Sequence, residues 1–366
     1  MRNLLVGLVL LLAGPAYAAG MTAVPAMDGI FNAFQTHPLV GIGEHHRIQQ
    51  ELDFYAALIS DPRFAREVGN VVVEFGGAVH QDIIDRYVNG DDVPYTELRK
   101  VWTDTVGWIP VVPALGYPVF FAQVRQVNKS LPPGQHIHVW LGDPPIDWSK
   151  VKTHAEWQTL NSRRDIFPAA LIEKQILARG RKALVIYGGG HFMPPAPGSA
   201  GDKMEEAGWH NTTWADIIRR DHPGSLYTIF PYGGMGDKSC AQDIESLMAG
   251  WPVPALATPI KGSDIAAKQR ACDKTTIQDG SFPPGMTNVE KEQVLETMKN
   301  GPSLVGDAML YLGPSGSLTF SPYIPDMYLD IDYAKTLARH NLLQTGEELP
   351  DYPIKDYAAI SQKVHP

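Results

Sequence analysis

Short apolar runs separated by segments of helical period constrain this chain to a layered α/β fold. Three of them end in chemistry. Leu39-Val40-Gly41-Ile42 runs into Gly43-Glu44-His45-His46, and Val71-Val72-Val73 runs into Glu74. Ala183-Leu184-Val185-Ile186-Tyr187 runs into Gly188-Gly189-Gly190-His191. Runs this short and this continuously apolar read as strands buried on both faces, the pattern of a parallel sheet. Ligands of open α/β sheets bind beyond the carboxyl ends of the strands. Residues far apart in sequence are therefore expected to meet in one crevice.

The rest of the chain supports the alternation. Gln49 to Ile59 is helical in period and stops at Asp61-Pro62. Val79 to Val88 and Val119 to Val127 repeat that pattern, and 163–179 is the clearest later helix. Trp214 to Arg220 follows, capped by Thr212 or Thr213. Further strands are expected over His136 to Leu141, Leu226 to Phe230 and Asp307 to Leu312. Residues 91–116 and 250–303, rich in Pro and Gly, read as insertions. The expectation is one α/β domain over 19–366, with a mostly parallel central sheet and helices on both faces.

Composition narrows the function. Residues 1–18 read as a signal peptide: Arg2, an apolar Leu4 to Ala13, then Ala16-Tyr17-Ala18. Cleavage is expected after Ala18 or Ala19, which implies a periplasmic or secreted protein. No later segment is apolar enough to span a bilayer. The formal net charge is −9, with no basic run to bind nucleic acid. A small-molecule substrate is the expected partner. Cys240 and Cys272 are the only cysteines, and an exported pair favours a disulfide.

Glu44 and His46 are two residues apart, so an extended backbone puts both side chains on one face and His45 on the other. A carboxylate beside an imidazole fixes its tautomer and raises its basicity, which suits His46 as a general base. The Gly41-x-Gly43 pair points to a tight turn brought close to something. Glu74 closes a very apolar strand and either faces the crevice or pairs with a helix. The glycines before His191 allow a close approach of backbone. His46, Glu74 and His191 could equally hold a divalent metal. Arg47, His80, Arg164 and Trp102 are candidates for substrate binding; Asp143 earns a place by position alone, and Trp108 and Tyr117 suit a pocket wall. Ordinary salt bridges and core packing are the plainer roles for all of these. A Gly-x-Ser-x-Gly elbow, a His-Glu-x-x-His helix and a Walker loop are absent, and Gly41-x-Gly43 lacks the third glycine of a dinucleotide fingerprint.

Together, Gly43-Glu44 followed by histidine, Val73-Glu74 before a helix with Asp85-Arg86-Tyr87, Arg164-Asp165, Gly188-Gly189-Gly190-His191 and Asp307 to Gly313 resemble the erythromycin esterase and ChaN-like superfamily. The likeness covers roughly 35–192 and 305–320. Its esterase branch implies lactone hydrolysis by a histidine-activated water, with the histidine three residues after the glutamate. That position is Arg47 here, and His46 is the nearest match. The Tiki and TraB-like branch implies metal-dependent hydrolysis, and Gly43-x-x-His46 and Gly188-x-x-His191 match its spacing. The ChaN branch implies haem binding, with Glu44-x-His46 as the match. A hydrolase of esters, lactones or amides with Glu44, His46, Glu74 and His191 at its centre is the expectation, a haem carrier the alternative.

Overall fold

The structure, a computed structural model, describes residues 20–107, 113–193, 212–233, 238–269, 271, 306–346 and 348. The expected signal peptide, Trp108 and all of 272–303, Cys272 included, lie outside these residues. Eight strands form one mixed, mostly parallel sheet: β1 (Thr22–Pro25), β2 (Leu39–Glu44), β3 (Asn70–Gly77), β4 (His138–Asp143), β5 (Ala183–Gly188), β6 (Leu226–Pro231), β7 (Ala255–Thr258) and β8 (Ala308–Tyr311). Their order is β1-β7-β8-β6-β2-β5-β3-β4. Every neighbour pair from β8 to β4 is parallel. Strand β7 runs antiparallel to both β1 and β8.

Alternation along the central strands assigns each side chain to one of two cores. Val40, Ile42, Val71, Val73, Leu184 and Ile186 face the core built with the helices Ala26–Thr36, Gln49–Ser60, Gln81–Val88 and Gly116–Lys129. Leu39, Val72, Val185 and Tyr187 face a second core under the helices Ile166–Gln175 and Trp214–Asp221. Every residue of β2, β3 and β5 is buried. Each valine or leucine taken out of water there contributes about 1.5–3 kcal/mol, so these strands anchor the sheet. Thr213 caps the Trp214 helix in a reciprocal box with Asp216.

Three elements depart from expectation. The 250–303 insertion contains β7, whose four residues lie between Pro254 and Pro259. A strand that short, without a β-branched run, carries no period. Strand β1 abuts the expected signal peptide and is equally short. The helix Ile331–Thr345 begins on an Asp330 side chain that accepts Asp332 N–H and Tyr333 N–H, and ends on Gly346 at φ 75°. Its amphipathicity is weak because Gln344 and His340 are buried rather than apolar.

Strand β2 pairs with β5 residue for residue, Glu44 opposite Gly188. Strand β3 pairs with β5 through Val73 and Ile186, and with β4 through Val73 and Leu141. Glu44, Asp143 and Gly188 end their strands at one edge of the sheet, whereas Glu74, expected to close its strand, stands three residues before the end of β3, where the register with β4 shifts and Gly77 comes opposite Asp143. Chain order reverses there: β2 connects outward to β3 and β4, the chain returns as β5 between β2 and β3, then crosses to β6. That is where a doubly wound sheet opens a crevice.

Candidate functional site

Strand β2 ends at Glu44 and the chain turns at once, with Ile48 N–H donating to His45 O at 3.2 Å. Arg47 holds φ 69°, a left-handed conformation uncommon outside glycine. It is fixed there by its surroundings. Its guanidinium donates to Tyr323 Oη at 2.6 Å and to Ser321 O at 3.1 Å, and stacks 3.8 Å over the Tyr323 ring. Ser321 N–H donates back to Arg47 O at 2.6 Å. A strained residue held this firmly is the usual mark of a turn built to aim something.

The turn aims His46. Its Nδ1 lies 2.8 Å from Glu44 Oε1, and the Tyr117 hydroxyl donates to the same oxygen at 2.7 Å. The Glu44 side chain is 2% exposed and the imidazole 38%. A carboxylate at Nδ1 places the proton there and leaves Nε2 as the basic nitrogen. The Glu44–His46 pairing is the expected one, reached through a turn and not through continued strand. Gly188 makes room for it: a Cβ at that position would come within 2.6 Å of His46 Nε2. Gly41 serves packing instead, since a Cβ there would strike the Phe192 ring at 2.4 Å. The tight turn expected at Gly41-x-Gly43 thus falls one step later, over 45–48.

Glu74 is the hub beneath His46. Its Oε2 accepts Gly188 N–H at 2.6 Å. Its Oε1 accepts a guanidinium hydrogen of Arg164 and lies 3.2 Å from His191 Nε2. His191 Nδ1 is 2.8 Å from Asp165 Oδ1, which also accepts Trp214 N–H at 2.9 Å. Arg164 Nε donates to Asp143 Oδ2 at 3.2 Å, and Asp143 Oδ1 takes Val106 N–H at 2.5 Å. Glu44, His46, Glu74 and His191 therefore meet at one strand edge, joined by Arg164, Asp165, Asp143 and Tyr117.

Burial works against a charged His191, but the carboxylates of Glu74 and Asp165 outweigh it and push its pKa to about 10. Burial alone would raise Glu74; His191 and Arg164 instead hold it well below the carboxylate range. Asp143 is pushed up to about 6 by burial, against the pull of Arg164. For His46 the desolvation cost is overcome by the Glu44 hydrogen bond and the charges of Glu74 and Glu44, so its pKa is raised above 6.5. The floor is thus a fixed lattice of charges, and the imidazole above it is an exposed group of enhanced basicity.

Three expected binding residues lie elsewhere. Arg47 is occupied by Tyr323 and Ser321, as described. His80 Nε2 lies 2.7 Å from Asp104 Oδ2 in a part-buried pair. Trp102 is fully buried against Tyr95 and Phe121, because its short helix Lys100–Thr103 packs its apolar face into the main core. A second carboxylate–histidine pair escaped the sequence. Glu51 Oε1 is 2.9 Å from His45 Nδ1, and Tyr55 Oη donates to Glu51 Oε2 at 3.0 Å. Glu51 and Tyr55 are one turn apart on the helix that the turn feeds, but that spacing does not point to His45.

Nδ1 of His46 and Nδ1 of His191 each face a carboxylate, and His191 Nε2 faces Glu74. Among the described residues no group of three or more His, Cys, Asp or Glu is arranged to hold an ion. No helix among them is long and apolar enough to cross a membrane.

No protein-family profile and no curated protein matches the sequence. Two solved structures are similar at a distance. The type III effector HopBA1 shares 13% identity over 59% of this chain and 89% of its own, with a TM-score of 0.34. A Bacillus cereus protein shares 12% identity over 58% of this chain and 72% of its own, also with a TM-score of 0.34. Neither likeness is close enough to bear on function.

Proposed function

We propose that the protein is an exported hydrolase that attacks an ester, lactone or amide carbonyl with a water activated by His46. One observation carries the reading: an exposed imidazole, backed at Nδ1 by a buried carboxylate, sets Nε2 against Gly188 at the end of a central parallel strand. Glu44 orients the ring and stabilises the imidazolium formed when Nε2 takes a proton from water. A base placed this way contributes about 10²–10⁴-fold. Glu74 holds Arg164 and His191 in place at the floor of the site.

The test is turnover by the purified, processed protein of a panel of simple esters, lactones and amides, followed by acid release. Hydrolysis of at least one class is expected. A protein that turns over none of them, and shows an intense Soret band, would replace this reading with the haem carrier.

A further inference from the structure

Two histidines close strand β2, and both are mounted in the same way. His45 Nδ1 lies 2.9 Å from Glu51 Oε1, as His46 Nδ1 lies 2.8 Å from Glu44 Oε1. In each pair the carboxylate side chain is 2% exposed and the imidazole 38%. In each a tyrosine hydroxyl completes the carboxylate: Tyr55 on Glu51 and Tyr117 on Glu44. Both rings thus keep Nδ1 occupied, which leaves Nε2 as the nitrogen for chemistry.

The rings lean to opposite sides. His46 Nε2 sits against Gly188, the last residue of β5. His45 sits against Gly233, just beyond β6, where a Cβ would come within 3.0 Å of its Nε2. Strands β5 and β6 flank β2 on either side. The two imidazoles therefore straddle the tip of β2, one over each groove. Glu51 also has a structural duty, since its Oε2 accepts His45 N–H at 2.9 Å and so pins the turn. That duty needs one oxygen. The second is spent on orienting a half-exposed imidazole, which the turn does not require.

We infer that His45 is the general acid of the hydrolysis in which His46 is the base; the inference rests on the hydrolytic reading above. Water oxygen bonds to the carbonyl carbon as His46 Nε2 takes one of its protons, and the carbonyl π pair moves onto oxygen, to return as the leaving bond breaks. The bond from that carbon to the leaving oxygen or nitrogen then breaks. Its electron pair stays with the leaving atom, which takes the Nε2 proton of His45; His45 enters the step as the imidazolium, its Nδ1 proton held by Glu51, and leaves it as the neutral ring. The products are a carboxylic acid and an alcohol or amine, and exchange with solvent resets both rings. The substrate lies across the tip of β2, acyl side over Gly188 and leaving side over Gly233. It is of the class that needs an acid: an alkyl ester, a lactone or an amide.

The test compares an alkyl ester with a nitrophenyl ester of the same acyl group, in wild type, His45→Ala, His45→Gln and His46→Ala. Nitrophenolate departs without a proton and alkoxide does not. Both His45 variants should lose about 10²-fold more activity on the alkyl ester than on the nitrophenyl ester. His46→Ala should lose comparably on the two. An equal loss on both esters in the His45 variants, or no loss on either, would overturn the assignment while leaving the His46 reading intact. Full activity of His46→Ala, or a wild type inert towards both esters, would overturn the hydrolytic reading and this inference with it.

Discussion

His46 Nδ1 lies 2.8 Å from Glu44 Oε1, so the last residue of a buried strand and the second residue of the following turn act as one unit. The hydrogen bond fixes which nitrogen is basic and raises the ring's pKa. In Glu44→Gln the neutral amide keeps the shape and loses the charge. The activity that rises with pH as His46 deprotonates should then rise at lower pH than in wild type. Its plateau should fall by up to about 10⁴-fold, as when the carboxylate behind a catalytic imidazole becomes an amide in serine proteases. A pH–rate profile measures both, and an unshifted midpoint would separate Glu44 from the chemistry.

Gly188 lies where a side chain would push His46 aside, with its Cβ position also 3.2 Å from Glu74 Oε2. Gly188→Ala should cost activity heavily, on the order of 10²-fold for a displacement near 1 Å. Stability should change little, since the clash falls on the free end of an exposed ring. Steady-state kinetics beside a thermal melt would show the two effects apart. Equal loss of both would mean that Gly188 serves the fold instead.

The site was legible to the extent that it lies at the ends of strongly apolar strands. Val71-Val72-Val73 and Ala183 to Tyr187 declare buried strands, and a strand end places Gly188, while β3 runs on past Glu74 to Gly77. Arg164, Asp143 and Asp165 were visible only as neighbours of such segments. What joins them is ion pairing across the sheet, and no local period encodes that. Glu51 was hidden for a different reason. It reads as one polar residue on an amphipathic helix, and its reach back to His45 depends on the turn held by Arg47. Strands β1 and β7 are too short for alternation to show, and their pairing is set by β8.

The His191–Glu74 pair predicts how stability varies with pH. His191 has a folded pKa of about 10 against an ordinary 6.5, so its contribution is complete below 6.5 and lost as pH rises through 10. Glu74 is depressed, so its contribution is present above its ordinary 4.5 and lost as pH falls through its lowered value. Wild type should therefore lose unfolding free energy between pH 7 and 10. His191→Gln should be less stable near pH 6 and flatter over that alkaline range. Parallel curves for the two proteins, from denaturant unfolding at several pH values, would contradict the ion-pair account.

Cys240 lies on the helix Lys238–Leu247 beside the small core of Ile244, Met248 and Tyr311, and no cysteine among the described residues is free. We expect it to pair with Cys272 after export. A bridge closing roughly 30 residues would restrict the unfolded chain by about 3–4 kcal/mol. Thiol labelling of denatured, unreduced protein should find no reactive cysteine, and reduction should lower the melting temperature without touching His46. Two labelled thiols would refute the bridge.

The proposed base is His46, and the decisive comparison is kcat/KM of His46→Ala against wild type on an ester that the wild type hydrolyses. The ring is 38% exposed, so its removal leaves the cores intact. A loss of about 10²–10⁴-fold with an unchanged melting temperature is expected. Wild-type turnover in the variant would contradict the account.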